Sequence, residues 1–364
     1  MYRWTTVYAM RTVQADPKYD GILRNISDGT MEAYMMPPFA SNHASFIEPL
    51  PNGDLVMAWF SGISEGMSNV AIVFSQLKNN SNQWSKAQVV SQRKGYSNQN
   101  PVFFYDNKTD ALYLFHTQQE AKKSQLGTRS EESAEIWVLS ALNVTNSSNI
   151  RFSPPRVMFK HKGSFDRNRV VVSLRNTWLY PIYYAGGSSK DQSSNLKECV
   201  DHNVFSSWLD HPFLDTNYLV QPSVIRPKKG DLRLVAFFRD RRAQYIYKAD
   251  SSDDGKTWSK PTKTTLPNNN SGIEATVLSS GNFAIVYNPT NKDRNPLSIS
   301  LSTDQGLTWK YTRNLEYKTD ENGVEFSYPT LFQDSTGRIH ISYTYNRETV
   351  KHRVIPNEQW IMQQ

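Results

Sequence analysis

The stretches SSDDGKTW (residues 251–258) and STDQGLTW (residues 302–309) are two copies of one pattern, S-x-D-x-G-x-T-W, with their tryptophans 51 residues apart. Aspartate and glycine at these offsets make a tight turn. The carboxylate accepts backbone N–H bonds, and glycine takes the left-handed dihedral that other residues resist. The tryptophan then packs between neighbouring sheets. Worn copies read from Ser75 to Trp84 and up to Phe152. Spacings of roughly 50–70 residues are those of four-stranded propeller blades.

Working outward, short apolar or alternating runs recur in pairs around Gly, Asn, Asp or Lys turns. The pairs are 45–49 with 55–60, 101–105 with 111–115, 170–174 with 177–183, 223–226 with 232–238, 275–278 with 283–286, and 330–333 with 339–345. No long segment has a 3.6-residue period. Six such units predict an all-β chain: a six-bladed β-propeller of four-stranded antiparallel blades, one domain over residues 1–364. Polar loop insertions are expected near 117–135 and 186–217. The second carries Cys199, His202, Trp208 and His211, and either insertion can overhang a ligand or be a passive loop.

The 364 residues carry 41 Lys+Arg against 34 Asp+Glu, a net charge of +7. That balance favours anionic partners. The basic residues are scattered, and no nucleic-acid motif is present, so no nucleic-acid partner is expected. No apolar run is long enough to span a membrane as a helix. A single cysteine excludes an internal disulfide framework and Cys-rich zinc sites. No metal site and no cofactor are expected, since zinc-protease, phosphate-loop and serine-hydrolase motifs are missing. The first 21 residues show no signal peptide, whereas six Asn-x-Ser/Thr sites starting at Asn25, Asn79, Asn107, Asn143, Asn146 and Asn269 favour a secreted or extracellular protein. A cytoplasmic location stays open.

The repeats, with HAS at 43–45, NPV at 100–102, QPS at 221–223, NSGIEA at 270–275 and FSYP at 326–329, resemble the sialidase superfamily of BNR (Asp-box) repeat propellers. The likeness runs from about Met35 to Lys351. It implies arginines that grip a substrate carboxylate, because guanidinium forks match carboxylates bidentately. Arg239 and Arg294 fill two of those places, and Tyr328 fills the place of the tyrosine nucleophile. Three positions depart from the pattern. His43 stands where a first-blade arginine is implied, and Gln221 stands where a carboxylate would assist the tyrosine. The first-blade acid/base aspartate is missing, with Glu65 and Asn69 its nearest candidates.

Each residue carries two readings. Arg239 and Arg294 clamp an anion or pair with Asp240 and Asp293. Arg241 and Arg242 touch ligand or are solvated neighbours. Tyr328 is a nucleophile or a strand packer. His43 and Glu65 handle a proton, or are a buried histidine and a solvated charge. Glu274 orients an arginine or a sugar hydroxyl. Asn100 and Gln221 bond sugar hydroxyls or stitch blades together. The expected activity is a sialidase-like exo-glycosidase on a terminal acidic sugar of a glycan or polysaccharide. A polysaccharide lyase acting on a uronate, or a non-catalytic glycan-binding propeller, are the alternatives.

Overall fold

A computed structural model of the chain describes residues 16–121, 130–319 and 323–363. These residues form six antiparallel sheets arranged as a six-bladed β-propeller. The first blade is Ser41–Pro49, Leu55–Gly62, Ala71–Leu77 and Gln88–Ser91; the second is Tyr96–Asp106, Ala111–Glu120, Glu135–Leu142 and Arg156–Phe159. The third combines Ser164–Asp166 and Val171–Val172 with Trp178–Tyr184, Ser193–Cys199 and Leu209–Pro212. The fourth runs Leu219–Ile225, Leu234–Asp240, Tyr245–Ser251 and Thr262–Pro267; the fifth, Glu274–Val277, Phe283–Tyr287, Leu297–Ser302 and Tyr311–Glu316. The sixth is Phe326–Gln333, Ile339–Tyr345 and Thr349–Ile355, completed by Met31–Tyr34 from the other end of the chain. That pairing, Met31 opposite Val354 through Tyr34 opposite Lys351, closes the ring. The one α-helix among the described residues is the four-residue Gln359–Met362, and no described helix is long and apolar enough to cross a membrane.

The predicted pairs are the two inner strands of each blade. The S-x-D-x-G-x-T-W turns join the third and fourth strands of the fourth and fifth blades. Asp253 accepts from the Ser251 hydroxyl at 2.8 Å, the Thr257 N–H at 2.9 Å and the Thr257 hydroxyl at 2.6 Å. Asp304 repeats the set with Ser302 and Thr308. Gly255 sits at φ +88° with its absent Cβ 3.0 Å from Leu196 and 3.1 Å from Leu234, so a larger residue would strike the core between blades. The third blade holds a copy that the sequence pattern hides. Cys199 stands at the serine position, Asp201 accepts from the Ser206 hydroxyl at 2.6 Å and from the Asn203 N–H at 3.0 Å, and His202 takes the positive φ of 59°, while Asn203, at the glycine position, does not adopt that glycine's left-handed φ.

The innermost strands have no sheet partner on the axis side, and their free N–H groups need acceptors. Neighbouring blades supply them. Ala44 N–H donates to the Thr344 hydroxyl at 3.0 Å, Ile47 to Thr330 at 3.1 Å, Ala275 to Ser223 at 2.9 Å and Leu331 to Glu274 at 2.5 Å. Two arginines of the third blade fill the axis. Arg167 donates to the carbonyls of Ser45, Tyr328 and Pro329, and Arg169 pairs with Glu48.

The expected insertion at 117–135 continues strand pairing through Glu120 and ends in a short 3-10 turn, Ser130–Ser133; residues 122–129 lie outside the described residues, as does most of the N-terminal stretch read for a signal peptide. The 186–217 stretch divides. Gly186–Gln192 lies at the end of the ring where the strands of the first and second positions begin and end near His43 and Arg239, whereas Val200–Trp208 is the hidden turn at the opposite end.

Candidate functional site

One irregularity recurs in four innermost strands. The register slips between His43 and Phe46, Gln99 and Val102, Val220 and Ser223, and Ser327 and Thr330. Each slip holds a residue at positive φ: Ala44 at 56°, Asn100 at 49°, Gln221 at 53° and Tyr328 at 53°. These are β-bulges, which re-aim side chains. In three of them proline follows, which has no N–H to lose at an edge. A bulky residue at such a φ costs about 1–3 kcal/mol and is held only by its surroundings. Arg167 supplies the restraint for Tyr328, at 2.7 Å from its carbonyl.

The bulged ends open on a polar cavity of about 200 Å³. Tyr328, Arg239, Arg294, Glu65 and Asn100 line it, as the sequence reading joined them. Arg241, Arg347, Glu131, Tyr183, Phe165 and Gln99 complete the wall. Four arginines against two glutamates make it an anion-attracting site.

Arg239 is buried and donates to the Tyr328 hydroxyl at 2.6 Å, to Gln221 Oε1 at 3.1 Å and, through Nε, to Asn270 at 2.9 Å. Burial alone would raise the Tyr328 phenol. Arg239 and Arg294 outweigh it, Glu65 opposes them, Arg241 assists, and the phenol is brought down to about 8. Gly272 packs against this group: a Cβ there would lie 3.3 Å from Gln221 Oε1 and 3.3 Å from Tyr328 Cγ.

A second layer fixes the other cations. Glu325 accepts from Arg294 at 2.5 Å and from Arg347 at 2.8 Å. Arg347 also donates to Glu65 at 2.7 Å. Burial and then the charges of Arg294 and Arg347 act on Glu325 in opposite senses, and the arginines prevail, holding it below the ordinary carboxylate range. Arg347 is a central residue of the turn through residues 346–348 that joins Ile339–Tyr345 to Thr349–Ile355, with Asn346 at φ 51° and Arg347 at 55°. That turn type favours Asn-Gly. An arginine there is the signal by which the sequence marks it, and it went unread, as did Glu325 three residues before Tyr328.

Several expected residues stand elsewhere. His43 lies against Tyr328, ring centroids 4.3 Å apart, but is buried off the cavity wall. Burial, with Arg347, Arg294, Arg167 and Arg239 around it, drives its pKa well below the usual value. It is a neutral ring, bonded to Thr344 at 2.8 Å, and not a proton donor to the cavity. Glu274 is buried on the axis, receiving the Leu331 N–H and facing Arg169 at 3.6 Å. It is an edge acceptor and not a cavity residue. Arg242 turns away to Asp240 at 2.7 Å and over the rings of Tyr218 and Tyr247, because strand side chains alternate and Arg241 takes the inward direction. Gln221 touches Arg239 from beneath the wall and, being an amide, moves no proton.

A closed ring of six blades, bulged inward at one end around a tyrosine and four arginines, defines a sialidase-type propeller. A family model for the BNR repeat-like domain matches residues 53–341, and the chain belongs to that family. No curated protein matches it by sequence. Among solved structures it is similar to the Hadza microbial sialidase Hz136, with TM-score 0.71 and 15% identity over 87% of this chain and 66% of that one, just under two thirds of that protein's length. It is similar to a protein of unknown function from Dyadobacter fermentans, with TM-score 0.71 and 15% identity over 93% and 99% of the two chains. The intramolecular trans-sialidase of Ruminococcus gnavus, solved with oseltamivir carboxylate, gives TM-score 0.70 and 12% identity over 91% and 98%. At these identities the likeness is one of fold.

Proposed function

We propose that the chain is a glycoside hydrolase that removes a terminal, carboxylate-bearing sugar from a glycan. One observation carries this reading: the Tyr328 hydroxyl is 2.6 Å from the buried Arg239 guanidinium, in a cavity where arginines outnumber carboxylates. The arginines bind the sugar carboxylate. The Tyr328 phenolate attacks the anomeric carbon as the bond to the leaving oxygen breaks, and that oxygen takes a proton from Glu65. Water then attacks the same carbon, passes a proton to the Glu65 carboxylate, and the Tyr328–carbon bond breaks to restore the phenolate. Tyrosine nucleophiles are known exceptions to the two-carboxylate pattern of glycosidases. Activation of the phenol by guanidinium charge replaces the carboxylate that Gln221 lacks.

That glutamine also favours a second reading, β-elimination on a uronate. There the phenolate takes the proton next to the arginine-neutralised carboxylate, the adjacent C–O bond breaks, and Glu65 protonates the leaving oxygen. A screen of sialosides and uronate polysaccharides separates the two. Hydrolysis releases a sugar without ultraviolet absorbance, and elimination yields an absorbing unsaturated product. Glu65→Gln is expected to lose activity on natural linkages and keep it on aryl glycosides with acidic leaving groups. Full activity of Tyr328→Phe on every substrate sinks both readings.

A further inference from the structure

Position 221 holds an amide where a carboxylate is implied, and the two set neighbouring protons differently. A carboxylate only accepts, whereas an amide accepts at its oxygen and donates at its nitrogen. The Arg239 guanidinium has donors only, and its Nη1 donates to Gln221 Oε1 at 3.1 Å. That bond fixes which way the amide faces. Gln221 Nε2 is therefore turned to the Tyr183 hydroxyl, 3.4 Å away, and the Tyr183 oxygen is the acceptor.

The third blade brings Tyr183 there. It lies near the end of Trp178–Tyr184, in register with Phe165, and the two rings stack with centroids 5.3 Å apart and planes 22° from parallel. Both side chains line the cavity. With its oxygen accepting from Gln221, the Tyr183 hydroxyl still has its own proton to give, and no group among the described residues accepts it. Burial raises that phenol most; Arg241 opposes, the Tyr328 charge adds and Arg239 opposes, leaving it above its ordinary value. Two tyrosines on one wall are thus pushed apart, Tyr328 towards the anion and Tyr183 towards the protonated donor. A glutamate at position 221 would accept from both Arg239 and Tyr183 and hold the Tyr183 proton inside the wall. The glutamine reverses that bond.

We infer that the Tyr183 hydroxyl is a specificity-determining donor of the site: it gives a hydrogen bond to an uncharged oxygen of the sugar, a hydroxyl or a carbonyl, and Gln221 is the positioning residue that frees its proton to do so. This rests on reading the cavity as a sugar site.

Calorimetric titration of the whole chain with N-acetylneuraminic acid and with D-glucuronic acid tests it. At least one acid should bind saturably. Tyr183→Phe keeps the ring on Phe165 and removes only the hydroxyl, so it should weaken that binding roughly 3- to 10-fold, the effect of one neutral hydrogen bond. Tyr184→Phe, against His161 on the other face of the same strand, should bind as the wild type does. Gln221→Glu should weaken binding by a larger factor in the wild type than in Tyr183→Phe, where no phenol proton is left to capture. Its new charge acts in both backgrounds and cancels from the comparison. If neither acid binds but a sialoside or uronate polysaccharide is turned over, kcat/KM on that substrate is compared instead, with the same factors expected. Equal affinity of Tyr183→Phe and wild type, or a loss of binding that tracks a loss of melting temperature, overturns the Tyr183 assignment and leaves the cavity reading standing. Equal factors for Gln221→Glu in the two backgrounds overturn the role of Gln221. Tyr183-dependent binding without turnover of any glycan sinks the catalytic reading alone. Neither binding nor turnover sinks the proposed function and the inference together.

Discussion

Replacing Arg239 with glutamine should change the titration of Tyr328 more than any other single substitution in the cavity. The guanidinium lies 2.6 Å from the phenol oxygen and is the largest of the influences that lower it. Unit charges about 4 Å apart at an effective dielectric near 20 interact by about 4 kcal/mol. At 1.36 kcal/mol per pH unit, that exceeds the whole drop from 10.0 to about 8. Without Arg239, burial dominates and the phenol should titrate above the ordinary tyrosine range. The chain has 19 tyrosines, so the assay is an ultraviolet difference titration of each protein against its own Tyr328→Phe counterpart. The wild-type difference should show one phenolate forming near pH 8, and the Arg239→Gln difference none below pH 10. Stability must follow. Between about pH 8 and 10 the unfolded tyrosine keeps a proton that the folded one has lost, so stability rises with pH, by about 3 kcal/mol in total. That gain is complete above pH 10 and gone below pH 8. A wild-type phenolate that forms only above pH 10, or one that forms near pH 8 despite Arg239→Gln, refutes the electrostatic account of the site.

Acid should weaken the fold early, because His43, His352 and His116 are buried and neutral, with pKa values well below the usual 6.5, or about 4 for His116. Below pH 6.5 the unfolded chain binds three protons there that the fold refuses. Asp166, raised to about 7 by burial, offsets one of them, leaving a slope of about 2.7 kcal/mol per pH unit. Urea midpoints that stay level from pH 6.5 to 5.5 would contradict it. Gly272→Ala should push Tyr328 and Gln221 apart from Arg239, shifting the phenol titration while melting stays within a few degrees; an unchanged titration would show that the ring gives way freely. Asp253→Ala should cost about 1–3 kcal/mol through lost turn hydrogen bonds and leave ligand binding at the other end of the ring untouched, a separation that equilibrium unfolding and calorimetry together check.

The blades were legible because a propeller repeats its turns. An aspartate that must accept three local donors and a glycine wedged against Leu196 and Leu234 leave a pattern that survives in two clean copies. The third-blade turn escaped since Cys199 and Asn203 stand where the pattern has serine and glycine, and the turn keeps the aspartate's local bonds without the glycine's left-handed φ. The closing strand Met31–Tyr34 escaped too, for its partner lies more than 300 residues away and no local signal names it. In the site, Tyr328, Arg239 and Arg294 were readable through motif positions. Arg347 and Glu325 were not, and Arg241 was read only together with Arg242, because alternation along one strand and the crossing of a turn over a neighbouring blade decide where they point.

The exchange of the expected first-blade arginine for His43 has a counterpart across the closing seam. Arg347 Nη2 stands 3.5 Å from His43 Nε2, and Arg294, Arg167 and Arg239 are near enough to depress the imidazole as well. An arginine at position 43 would bring another buried cation into this cluster, with Glu325 already shared between two guanidiniums. A neutral ring there is therefore the condition on which Arg347 occupies its turn. His43→Arg should destabilise the chain by several kcal/mol, as uncompensated buried charges do. Arg347→Ala vacates a cation beside the same spot, so the double variant should recover at least about 1 kcal/mol relative to the sum of the single changes. Denaturant unfolding of the four proteins measures that coupling. Strict additivity would mean that residues 43 and 347 are independent, and that His43 owes its place to something other than the arginine opposite.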